Sequence, residues 1–309
     1  MIPKRLNERQ FPQLSKATWV FLAMAVFLSL SLACGSSDQE QDLTDTPNQK
    51  PLSVVTTTAL LADLVNNVGG DLVSVTALVP PGADVHSFQS TPADNVVISR
   101  AAMVVSNGGG LDQFLDQVIQ RSTSDGTVHI LAAKALLELD DEDPHFWQNP
   151  VFAVRYVESI RDGLIAVDPT NTDDYQVNFT EYKDRLTKLD FDMAKTLNTV
   201  DPTRRHLITF HDAFGHLAKR YGWQVTSLVG SDASQVSPGP VVEILEKIRE
   251  QGLTAVFAEP QFNSDLLEKA AEEAGVEIGP IYSDVQGGEV ANYIDMMLFN
   301  AKSLARLLR

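Results

Sequence analysis

One stretch limits the fold more than any other. Between residues 171 and 200, Phe179, Tyr182, Leu186, Leu189, Met193 and Leu197 recur at steps of three and four. Charged residues fill the gaps, and Pro202 ends the pattern. This spacing predicts one amphipathic helix of about 25–30 residues, roughly 40 Å long. A helix of that length between two globular halves implies a rigid spine joining two lobes. A coiled-coil dimer is the rival reading, but the repeat covers only about four heptads.

On both sides of the spine, strand patterns alternate with helix patterns. A β-branched run, Ser53 to Thr57, gives way to Leu60, Leu61, Leu64, Val65 and Val68 at helical spacing, stopped by Gly69 and Gly70. Residues 72–79 alternate and end in a Pro-Pro-Gly turn, followed by a loop carrying His86. Residues 102–120 read as strand, glycine turn and helix, and 127–133 as a further strand. Beyond the spine, strands at 206–210, 223–229, 254–259 and 276–282 alternate with helices at 212–221, 240–251, 264–274 and 288–308. Such alternation predicts an α/β fold with parallel sheets covered by helices on both faces. The expected organisation is an N-terminal lobe at 52–170, the linking helix at 171–200 and a C-terminal lobe at 201–309.

Of the 309 residues, 44% are hydrophobic, so the chain is able to build a core. The formal net charge of −17 argues against a nucleic-acid partner, which demands a basic face. A single cysteine, Cys34, excludes an internal disulfide framework. Residues 1–16 carry Lys4, Arg5, Arg9 and Lys16 against Glu8, and 18–33 form an uncharged apolar run ending in small residues. This is the layout of a secretory signal, and the run is short of the roughly 20 residues of a membrane span. Its ending, SLAC followed by Gly35, resembles a bacterial lipobox, although a serine stands three before the cysteine where leucine is usual. Residues 1–33 are therefore read as a lipoprotein signal peptide with Cys34 as the lipidated residue; an uncleaved anchor and plain secretion are the alternatives. Residues 34–51 are polar and read as a flexible tether.

Four polar side chains fall near strand exits or helix entries: His86, His145, His211 and Asp284. In open parallel sheets, ligands bind beyond the carboxyl ends of the strands. Three imidazoles and a carboxylate make a four-coordinate set suited to Zn²⁺. Placement alone does not separate these residues from ordinary structural histidines. The other three histidines have plain readings. His129 packs or hydrogen-bonds within a strand. His206, beside Arg204 and Arg205, is exposed. His216 lies about 140° from His211 around a helix and shares no ligand face with it. The acids 140–143 read as a solvated run that could raise the local cation concentration. Asp232 and Glu259 could orient an imidazole, exposed carboxylates being the plainer reading. Gly108, Gly109 and Gly110 open a helix but precede no phosphate-binding pattern, so they read as a turn.

The segments 81-PGADVHSFQSTPAD-94, 143-DPHFWQNP-150, 210-FHDAFGHLAKRYG-222, 257-FAEPQF-262 and 292-NYIDMMLFN-300 resemble the zinc- and manganese-binding receptors of bacterial ABC importers, in order from about residue 52 to the C-terminus. The resemblance implies two α/β lobes joined by a long helix, with the metal held at the lobe interface by His86, His145, His211 and Asp284. At the last position 283-SDVQGG-288 departs from the usual wording. The resemblance also implies a monomeric, lipid-anchored extracytoplasmic receptor, not an enzyme, that passes a divalent metal to a permease. Members with glutamate at the third position resemble manganese receptors. His211 in that place favours zinc, while the lack of a histidine-rich loop keeps manganese and iron open. Two rivals remain: a zinc metallohydrolase using Glu259 as base, and an adhesion lipoprotein with a structural metal.

Overall fold

The computed structural model describes residues 50–139, 142–230 and 238–309. Cys34, the signal segment 1–33, most of the tether, Asp140, Asp141 and Asp232 lie outside the described residues. Residues 50–309 form one compact unit.

Two four-stranded, fully parallel sheets carry the fold. The first holds β1 (Leu52–Thr56), β2 (Val73–Ala77), β3 (Met103–Ser106) and β4 (Val128–Leu131) in the order β2-β1-β3-β4. The second holds β5 (His206–His211), β6 (Gln224–Val229), β7 (Ala255–Ala258) and β8 (Glu277–Pro280) in the order β6-β5-β7-β8. The first half contains helices α1 (Ala59–Gly69), α2 (Pro92–Ser99), α3 (Gln113–Ser122) and α4 (Pro150–Val167). The spine is α5 (Thr172–Leu197), and α6 (Gly215–Tyr221), α7 (Pro238–Gln251), α8 (Asp265–Ala274) and α9 (Tyr293–Leu307) follow. Among the described residues, no helix is long and apolar enough to cross a membrane.

The period of two along each strand divides the core into three parts. Val54, Met103 and Val105 face the space between the sheets, as do Leu207, Ala255 and Phe257. There they join one continuous cluster with residues of α1, α4, α5 and α9. Val55 and Val104 point the other way, toward Ile98, Leu115 and Ile119. Ile208, Phe210 and Val256 likewise face α7 and α8 through Ile244, Ile248 and Leu267. Strands buried on both faces read as near-continuous apolar runs, which is why β3 and β5 lack alternation in sequence.

The spine is 26 residues long. Its expected apolar stripe is buried, with Tyr175 added at the start. The stripe packs on α4, α9 and α1 of the same chain, so it is not the seam of a coiled coil. The loop carrying His86 is followed by a helix that the sequence pattern did not indicate, α2. Asp94 accepts from the Thr91 backbone at 2.6 Å in a capping box, and Pro92 follows the cap. Only Ile98 of this helix is buried, so its periodic signal is weak. At the end of α1, Gly69 is required by a close approach: a Cβ there would lie 2.4 Å from a Val73 methyl.

Candidate metal site

His86, His145 and His211 come from three separate segments. His86 sits in the loop between β2 and α2, where Asp84 Oδ1 accepts from its backbone N–H at 2.9 Å. His145 precedes a single 3₁₀ turn, Phe146–Gln148, that leads to Asn149 and Pro150 at the start of α4. Asp143 Oδ1 accepts from the His145 backbone N–H at 3.0 Å, the same turn as at Asp84. His211 is the last residue of β5, at the carboxyl end of its sheet.

The three rings converge. Their centroids are 5.8 Å apart for His86 and His145, 5.6 Å for His86 and His211, and 5.2 Å for His145 and His211. One nitrogen from each ring lies within 4.8 Å of the others. The Nε2 atoms of His145 and His211 are 3.5 Å apart. Two nitrogens on a tetrahedral ion with bonds of about 2.1 Å would be about 3.4 Å apart. His145 and His211 are buried, and His86 is half-buried. The cavity they line is about 20 Å³, enough for one ion or one water and far too small for an organic substrate.

Asp284, in the loop after β8, lines the same cavity but stands outside the three-nitrogen group. Its Oδ1 accepts from the Val285 N–H at 2.6 Å. Some of its surface is open to the cavity, but protein surrounds the carboxyl. Burial pushes it up to about 7, outweighing the backbone N–H groups of Val285 and Leu60 that favour the ionised form. The neighbouring Ser283 carbonyl accepts from Trp147 Nε1 at 2.8 Å and Gln148 Nε2 at 3.2 Å. The Asp284 loop is therefore tied to the segment that carries His145.

Carboxylates lie behind two of the imidazoles. Glu259 Oε1 is 2.7 Å from His211 Nδ1, and Asp143 Oδ1 is 2.7 Å from His145 Nδ1. Glu259 is fully buried, which corrects the plainer reading of an exposed acid. Asp143 is half-buried and belongs to the site, not to a solvated run. Burial alone would raise its carboxyl, but the hydrogen bonds from His145 hold it below the usual range. The signal for Asp143 was present in the sequence: Asp-x-His occurs at both 84–86 and 143–145, and an aspartate accepting from the N–H two residues on fixes a turn.

The remaining histidines stand outside the three-nitrogen group. His206 opens β5, at the opposite end from His211. It is buried, not exposed: Nδ1 is 2.6 Å from Gln251 Oε1 and Nε2 is 2.8 Å from Thr226 Oγ1. His216 is in α6 whereas His211 ends a strand, so the helical-angle argument does not apply. Its ring stacks on Phe146 at 4.6 Å. His129 pairs with Ser106 Oγ at 2.7 Å, as expected. Gly108, Gly109 and Gly110 all have positive φ and form a turn. There the Asp112 carboxylate accepts from the N–H groups of Asn107 and Gly108.

A family model described as zinc-uptake complex component A, periplasmic, matches residues 54–307. A manganese-binding lipoprotein of Halalkalibacterium halodurans is 27% identical over 295 residues, covering 93% of this chain and 97% of that protein. An iron-binding protein of Yersinia pestis is 28% identical over 302 residues, covering 94% and 96%. Among solved structures, a periplasmic zinc-binding protein from Treponema pallidum superposes with a TM-score of 0.78 at 26% identity. That match covers 84% of this chain and 99% of the other.

Proposed function

The chain belongs to the family of the periplasmic zinc-uptake component A, and from that premise we propose that it captures Zn²⁺ outside the cytoplasm and delivers it to an ABC permease. The family consists of metal-binding substrate receptors, not enzymes. The observation that carries the reading is the convergence of three imidazole nitrogens on a cavity with room for a single ion. His86, His145 and His211 supply three nitrogen donors, and Asp284 turns in as the fourth ligand when the ion arrives. Three nitrogens favour zinc over manganese, because affinity for such donors rises along the divalent series. A lipid on Cys34 holds the monomeric receptor at the outer face of the membrane, with the segment 34–51 as its tether.

Relatives named for manganese and iron make the choice of metal the point to test. Elemental analysis and competition titration of purified wild type beside His145→Ala address it. The expected result is one zinc per chain in wild type, a preference for zinc over manganese, and loss of stoichiometric metal in the variant. Stoichiometric manganese retained in the presence of zinc would overturn the assignment of zinc. Equal metal content in wild type and His145→Ala would overturn the site.

A further inference from the structure

The carboxylates of Glu259 and Asp143 each touch an imidazole on the side away from the cavity. An ionised carboxylate only accepts hydrogen bonds. In each pair the proton therefore sits on Nδ1, and Nε2 keeps its lone pair. The two Nε2 atoms then face each other across 3.5 Å. We propose that Glu259 and Asp143 are positioning residues for metal capture, each locking one imidazole in the Nδ1–H tautomer and aiming its Nε2 at a common ion. This inference rests on the reading of the histidines as ligands.

Each carboxylate is itself held. Gln261 Nε2 donates to Glu259 Oε2 at 3.3 Å and to Ser283 Oγ at 2.7 Å, which joins the His211 pair to the loop of Asp284. The Asp143 backbone carbonyl lies 2.9 Å from His216 Nε2, and the His216 ring rests on Phe146. Gly215 completes the arrangement. A Cβ at that position would come 2.7 Å from Asp143 Oδ2, and its backbone does not lie in the left-handed region. Alanine is therefore tolerated by the helix, and only the carboxylate stands in its way. Gly215 acts as a positioning residue at one remove, by leaving space for the acid that holds His145.

The test is titration of the full chain with Zn²⁺ and Co²⁺, reading zinc affinity and the visible spectrum of bound cobalt. A merely structural contact would leave that spectrum unmoved in protein that folds. Glu259→Gln and Asp143→Asn are expected to weaken zinc binding by about 10–100-fold and to alter the cobalt spectrum. Gly215→Ala, which keeps both carboxylates, follows Asp143→Asn. Glu268→Gln, which removes one charge from an exposed acid bonded to Ser264, matches wild type. Should a carboxylate variant fail to fold, Gly215→Ala decides for Asp143. Glu259→Asp, which keeps the charge and shortens the reach, decides for Glu259. Zinc affinities within about twofold of wild type, with an unchanged cobalt spectrum, overturn the proposal. A wild type that takes up neither ion overturns the receptor reading instead.

Discussion

At Asp284 the carboxyl group is held near neutrality, at about 7. The ordinary value is 3.8, and burial is the cause. The sign for stability follows directly. Between 3.8 and about 7 the unfolded chain has lost this proton while the folded chain keeps it, so metal-free stability falls as pH rises through that window. Metal-free Asp284→Asn should therefore melt higher than wild type at pH 7.5, and the advantage should vanish below pH 3.8, where the wild-type carboxyl is protonated in folded and unfolded chains alike. Calorimetry of the two proteins across this range checks it. Metal binding has the opposite sense, because ligands must be deprotonated. The first loss of zinc affinity on acidification should come near pH 7 and be missing in Asp284→Asn. Burial pushes the His145 imidazole below 6.5, so its own limb comes at lower pH. An affinity that stays flat from pH 7.5 to 5 in wild type would contradict both assignments.

The elements that place these residues were legible in the sequence to different degrees. The buried side of α5 was almost complete in its spacing, because a helix packed along one stripe leaves a strong 3.6-residue signal. Leu189 belongs to that stripe and does not line the cavity. Leu189→Ala should cost about 2–5 kcal/mol in chemical denaturation and leave the zinc affinity of the folded protein unchanged. The short α2 was not legible, since one buried residue gives no period. The positions of His86 after β2 and His211 at the end of β5 were legible because parallel sheets direct their carboxyl ends to one side. His206 and Glu259 were not. Their burial depends on partners 45 and 48 residues away, Gln251 and His211, and no local pattern encodes such pairings. Asp143 was the case in which a local signal existed and the surrounding acids obscured it.

At the scale of the molecule, the governing feature is that one apolar cluster runs from Val54 in the first sheet to Leu308 at the end of the chain. The two sheets meet through α4, α5 and α9, whose buried side chains join that cluster. Metal-free and zinc-loaded crystal structures should accordingly differ by loop movements and small displacements of the lobes; a rotation of tens of degrees would contradict this reading. The size of the chamber has a further consequence. At about 20 Å³ it admits an ion but not the full shell of water that travels with it. Whatever enters must first shed its hydration sphere, with the imidazoles taking the place of the lost solvent. Magnesium surrenders its waters reluctantly and favours oxygen donors. It is turned away by the energy of dehydration, however abundant it is outside the cell.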